Sequence, residues 1–244
     1  MNSTRNSRLA GSWYADSVDV LKNSFHKVIN EDIANEEKSS FVLAPHAGHR
    51  FCLPQILSSL KHLDIQPSTK NIIVIGPSHK VAFKNKFYMS LFKKIYTPVG
   101  NLTVDHKKIY ELNKSLPKFL EIATESMDQN EHCLEIIYPA LKYLIDFYQK
   151  KDIQIVPMLV SKFDSEKLAK EVIRHIFDSG LDPKETKIVI SSDFTHWGLP
   201  YDFFFKIDNM KNFNKYITND NVEMELNSNK GINLLNLASM LVLS

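Results

Sequence analysis

Four short apolar runs, each ending abruptly in a polar turn rich in Gly, Pro, His or Ser, constrain the fold of this chain more than any other feature. They are Phe41-Val42-Leu43-Ala44, Ile72-Ile73-Val74-Ile75, Ile153 to Val160, and Ile188-Val189-Ile190. They read as buried strands. Segments of helical spacing lie between them. Leu53, Ile56, Leu57, Leu60 and Leu63 share one helix face; Leu168, Val172, Ile173 and Ile176 share another, behind a candidate cap at Ser165. The alternation predicts an α/β fold in which helices cover a central sheet.

A further amphipathic helix is expected through Leu134, Ile137, Tyr138, Leu141, Leu144, Ile145 and Tyr148, kinked at Pro139 or beginning close to it. Between Phe87 and Val104, alternating apolar and polar residues around the turn Thr97-Pro98-Val99-Gly100-Asn101 predict a pair of strands. From Asp208 to Lys230 the chain is rich in Asn and Lys, which reads as solvated loop, weak helix or disorder. A last helix is expected from Gly231 to Val242.

With 43% apolar residues in 244, the chain can bury one large core, and one domain is the expectation. Thirty basic against 28 acidic side chains leave a net charge of +2, so nothing calls for a nucleic acid or an anionic membrane as partner. The two cysteines, Cys52 and Cys133, have no zinc-type spacing and read as free thiols of a reducing compartment. The polar start lacks the apolar core of an export signal, and no run reaches the roughly 20 residues of a membrane span. A cytoplasmic location is expected.

Chemistry concentrates where the strands end. In α/β sheets the carboxyl ends of strands open onto a crevice, and loops there aim side chains into it from a rigid base. His46, in Ala44-Pro45-His46-Ala47-Gly48-His49, and His79, in Gly76-Pro77-Ser78-His79-Lys80, occupy equivalent positions after two such runs. Two imidazoles so placed could supply half of a metal site. Equally, His46 could bond a buried carbonyl and His79 could pair with Ser78 to cap the next segment.

Ser191-Ser192-Asp193-Phe194-Thr195-His196-Trp197-Gly198 follows the fourth run. Asp193 beside His196 could tune a base or a metal ligand, or could only cap the turn. Ser191 and Ser192 lack the glycine-flanked elbow of a serine nucleophile. In Asn130-Glu131-His132-Cys133-Leu134-Glu135, the residues Glu131, His132 and Glu135 are candidate ligands or bases. Alternatively, Glu135 faces a helix dipole and His132 is a cap. His26, His62, His106 and His175 read as plain helical or surface residues.

Taken in chain order, Ala10-Gly11-Ser12-Trp13-Tyr14, Ala44 to Gly48, Gly76 to His79, Tyr96-Thr97-Pro98, Glu131-His132, Val156-Pro157 and Ser191 to Gly198 resemble the successive signatures of Memo proteins. The resemblance implies a mixed central β-sheet covered by helices, on a scaffold like that of the class III extradiol dioxygenases, with one domain over 1–244. It also implies metal ligation at His46 and His79, an acid–base role at His196, and a cleft lined by His132 and Asp193. The implied cofactor is Fe(II) or copper. Implied roles are metal or redox homeostasis and the binding of phosphotyrosine-bearing signalling partners, without ring cleavage.

One departure concerns the metal. Animal members place a cysteine ligand shortly before a helix resembling Gly231 to Leu243, whereas Asn227, Ser228 and Asn229 stand here, none a strong ligand for a soft metal. The family pattern also continues with further strands, so a chain shortened at its C-terminus is expected. Three functions therefore compete: a metal-binding protein, a metal-free peptide or phosphopeptide module using the same cleft, and a metal-dependent oxygenase or hydrolase.

Overall fold

The four apolar runs become the strands of one sheet in a computed structural model that describes residues 4–29, 37–178 and 181–193. The chain divides into two compact units, Met1–Ser192 and Asp193–Ser244. The elements of the first unit run β1 (Thr4–Arg5), α1 (Val18–Ile29), β2 (Phe41–Ala44), α2 (His49–Lys61), β3 (Asn71–Pro77), β4 (Phe87–Met89), β5 (Lys94–Ile95), β6 (Leu102–Thr103), α3 (His106–Ser115), β7 (Leu120–Ile122), α4 (Glu125–Asn130), α5 (Tyr138–Phe147), β8 (Gln154–Val160), α6 (Glu166–Asp178) and β9 (Thr186–Ser191). The expected helix from Gly231 to Val242 and the Asn/Lys-rich stretch lie outside the described residues.

Six strands form the central sheet in the order β2-β9-β3-β8-β4-β7. β2, β9, β3 and β8 run parallel to one another, β4 is antiparallel to β8, and β7 is parallel to β4. The sheet is thus mixed and flanked by helices, as expected. Ile72, Ile73 and Val74 of β3 are each at most 1% exposed, which explains why that run carries no alternation. On one side α2 packs against β2, α1 and α5, presenting Ile56, Leu57 and Leu60 to the core.

Two expectations at helix ends are met in detail. The Ser165 hydroxyl accepts from the Leu168 backbone N–H at 3.2 Å, capping α6. Pro139 sits in the first turn of α5, where its missing N–H costs nothing. The helix begins only there, however: Leu134 to Ile137 form turns, closed by bonds such as Ile137 N to Leu134 O at 3.1 Å.

The region from Phe87 to Val104 holds three short strands rather than two, divided between sheets. β4 joins the central sheet through β8, while β5 and β6 form the expected hairpin in a second, three-stranded sheet with β1. Gly100 closes that hairpin at φ +131°, a conformation open to glycine. Alternation located the hairpin correctly, but two- and three-residue strands are too short for periodicity to separate. Among the described residues, no helix is long and apolar enough to cross a membrane.

Candidate metal centre

Strand order creates the site. β9 lies between β2 and β3, so the ends of the two histidine-bearing strands are two strand spacings apart, on the order of 10 Å. The loops after both strands lean together over the end of β9, where Ala44 is in register with Ser191. As a result the rings of His46 and His79 come within 5.2 Å, centroid to centroid.

His132 completes the group. Its ring lies 4.4 Å from His79 and 5.5 Å from His46, and Trp13 packs on it at 5.0 Å. One ring nitrogen from each of the three histidines lies within 4.8 Å of the others. His46 is buried, His132 is half-buried and His79 opens to solvent, so the group is reached from one side. Gly76 makes the approach of the His132 segment possible, because a Cβ there would stand 2.7 Å from Cys133 Sγ and 2.8 Å from Leu134 Cδ2.

Each ring is oriented through Nδ1. The Ser191 hydroxyl donates to the Cys133 carbonyl at 2.6 Å, so toward His46 it accepts, from Nδ1–H at 3.0 Å. Glu131 performs the same service for the other two rings. Its Oε1 lies 3.0 Å from His79 Nδ1 and 3.1 Å from His132 Nδ1, while Oε2 accepts from the backbone N–H groups of His79 and Lys80. Burial alone would raise the Glu131 carboxyl pKa, but bonds from His132 and His79 outweigh it and hold the group well below the usual carboxylate range. An imidazole that donates from Nδ1 presents Nε2 as its lone-pair nitrogen when neutral. This is the arrangement by which metal-binding histidines are usually held. The donor set therefore fits a first-row transition ion.

A second grouping, His79, Glu131 and Cys133, is also close enough to share an ion, but its donors are already committed. The Glu131 oxygens are engaged as described, and Cys133 Sγ donates to the Pro77 carbonyl at 3.0 Å. Burial also pushes the Cys133 thiol well up, away from the thiolate a metal needs. The three-imidazole group is the better site.

The other sequence candidates separate clearly. His49, close to His46 in sequence, belongs to the core: its Nε2–H donates to the Ile136 carbonyl at 2.9 Å, and burial lowers its pKa. Glu135 belongs to neither candidate ligand group and lies outside the first turn of α5. It is 2% exposed and bound to Arg5 Nη1 at 2.6 Å, the Leu9 N–H at 2.7 Å and the Tyr14 hydroxyl at 3.0 Å. His62 and His106 donate to the carbonyls of Glu37 and Phe92, in keeping with structural roles. Asp193 directly follows Ser192 and opens the second unit, and His196 lies outside the described residues. Sequence reading missed the orienting roles of Glu131 and Ser191, and Arg5 altogether. Cys52 and Cys133 are not joined in a disulfide.

A mixed-sheet α/β protein with a histidine cluster over its strand ends is the class these features define. The family model described as Memo-like protein matches residues 5–234, and the chain belongs to the Memo family. It is 28% identical over 229 residues to the "MEMO1 family protein MHO1" of Saccharomyces cerevisiae, covering 89% of this chain and 66% of that one. To "Protein MEMO1" of Xenopus laevis it is 31% identical over 190 residues, 78% of this chain and 61% of the relative. "Protein memo-1 homolog" of Caenorhabditis elegans is 28% identical over 200 residues, with 82% and 55% covered. The chain thus spans between 55% and 66% of the length of these curated relatives.

The Glu131 geometry sets a pH dependence. Because the folded-state pKa is depressed below the ordinary value of 4.5, the carboxylate contributes stability above that value and loses it as pH falls below it. Denaturant unfolding between pH 6 and about 2.5 should show the wild type losing stability more steeply than Glu131→Gln. Parallel curves for the two proteins would contradict the assignment.

Proposed function

We propose that this chain binds one first-row transition-metal ion, iron(II) or copper, through His46, His79 and His132. The observation that carries the reading is the convergence of three ring nitrogens within 4.8 Å, each ring tied at Nδ1 by Glu131 or Ser191. Imidazole suits iron, copper and zinc alike, and the choice of iron or copper follows the family resemblance. A bound ion would supply Lewis acidity or one-electron chemistry at the mouth of the cleft. The protein's own part is to hold the imidazoles, shield His46 from water and keep Trp13 against His132. The acid–base role of His196 rests on the family pattern, and the tuning role of Asp193 on its place beside His196 in the sequence.

After anaerobic loading with Fe(II) or Cu(I), elemental analysis should find close to one metal per chain in the wild type. His46→Ala, His79→Ala and His132→Ala should each fall to background. Equal metal in all four proteins would reject the reading.

A second reading is favoured by a cleft of about 560 Å³ next to His132. Arg8, Lys80 and the 40%-exposed Trp13 lie along it, while the carboxylates on its floor are taken up by internal partners. Cations beside an aromatic surface suit an anionic peptide side chain such as phosphotyrosine. Titration of a phosphotyrosine peptide, followed by Trp fluorescence, should weaken about tenfold in Lys80→Ala, as loss of one charge-assisted bond implies. Unchanged or absent binding would remove this reading and leave the metal reading standing.

A further inference from the structure

Arg5 is 1% exposed, and its guanidinium is surrounded by acceptors. Nε lies 3.0 Å from Asp128 Oδ1; Nη1 donates to Glu135 Oε2 at 2.6 Å and to the Asn6 carbonyl at 3.2 Å; Nη2 donates to the carbonyls of Asp128 at 3.0 Å and Glu131 at 2.8 Å. Apart from the Asn6 carbonyl, these acceptors are not scattered. They span the end of α4 and the turn segment that follows, the stretch that carries Glu131 and His132.

That stretch is supported from outside at several points: Ser191 holds the Cys133 carbonyl, His49 the Ile136 carbonyl, and Arg5 the part around Glu131. At Glu131 the chain leaves α4 with extended dihedrals, φ −83° and ψ 135°, and from Cys133 to Ile137 it forms only turns. Local bonds close the turns after Glu131 but hold Glu131 itself only weakly: its N–H reaches the Asp128 carbonyl at 3.3 Å, the His132 N–H closes back on its own carboxylate at 3.0 Å, and a shift of a few tenths of an ångström there decides a hydrogen bond. The guanidinium prevents this by gripping the segment before Glu131, at Glu131 and after it.

We propose that Arg5 is a positioning residue for the three-imidazole site, acting through Glu131: by fixing the Glu131 backbone it fixes the ring orientations of His79 and His132. His46 is oriented separately, through Ser191. The consequence for metal affinity rests on the metal-binding reading, whereas the effect on ring orientation holds in the chain without metal. A rigid planar fork is required, because a lysine ammonium is a point charge on a flexible stem and cannot reach all of these acceptors at once.

The test uses the full chain with 15N-labelled histidine, metal-free and at about pH 8, with imidazole tautomers read from long-range proton–nitrogen correlations. In the wild type His79 and His132 should carry their proton on Nδ1. In Arg5→Lys both should become tautomer mixtures while His46 keeps its state, and Co(II) used as probe metal should bind about 10- to 100-fold more weakly. Ser191→Ala should show a different pattern, with His46 changed most, because Ser191 holds that ring as well as the Cys133 carbonyl. If Arg5→Lys does not fold, Asp128→Asn, which weakens the anchor of Nε, is read in the same way. Unchanged tautomers at His79 and His132, or loss of order at all three rings together, would overturn the proposal. If the wild type binds no Co(II) but the tautomers respond as stated, the metal reading fails and the positioning role is supported.

Discussion

The Glu131 carboxylate is buried, yet it stays ionised because donors surround it. The His79 side chain and backbone, the Lys80 backbone, and the His132 ring and backbone all converge on its two oxygens. Burying a carboxylate without such partners is costly, so the group forces these donors to remain in place. It thereby ties the loop after β3 to the segment before α5, two parts of the chain that share no strand pairing. The orientation of two imidazoles follows from that junction.

The junction stands on two supports of different kinds. From the sheet side, the insertion of β9 between β2 and β3 sets how far apart the histidine loops begin and brings Ser191 under His46. From the other side, Arg5, Asp128 and Glu135 form a buried ionic cluster, extended by Tyr14 and Ser90, on which the turn segment rests. Breaking such a cluster by removing one partner typically costs about 3–5 kcal/mol, because the remaining charge is left buried. Burial pushes the Asp128 carboxyl up, and the bonds from Arg5 and Ser90 only partly offset it. The cluster thus holds its geometry by mutual need more than by net attraction.

How much of this could be read from the sequence depended on the range of the forces involved. The central strands announced themselves, since a strand such as Ile72 to Ile75, covered on both faces, must be apolar throughout. His46 and His79 were visible because each closes such a strand, and position at a strand end is a local property. His132 was visible only as one candidate among several, and Glu135 looked like a helix-dipole carboxylate when it is a partner of Arg5. Arg5 gave no signal: it lies in a two-residue strand, and its ionic partners begin more than a hundred positions away. Likewise, β4 could not be separated from the hairpin after it, because pairing with β8, and not its own pattern, makes it a strand.

Orientation by Glu131 and Ser191 is what would let three imidazoles act as one metal site. Anomalous-difference crystallography on Zn(II)- or Cu-loaded full-length protein addresses it most directly. The account predicts one strong peak about 2.0–2.1 Å from a ring nitrogen of each of His46, His79 and His132 for zinc, with every Nδ1 still facing Ser191 or Glu131. A peak shared by His79, Glu131 and Cys133 instead, or no peak among the three rings, would contradict it.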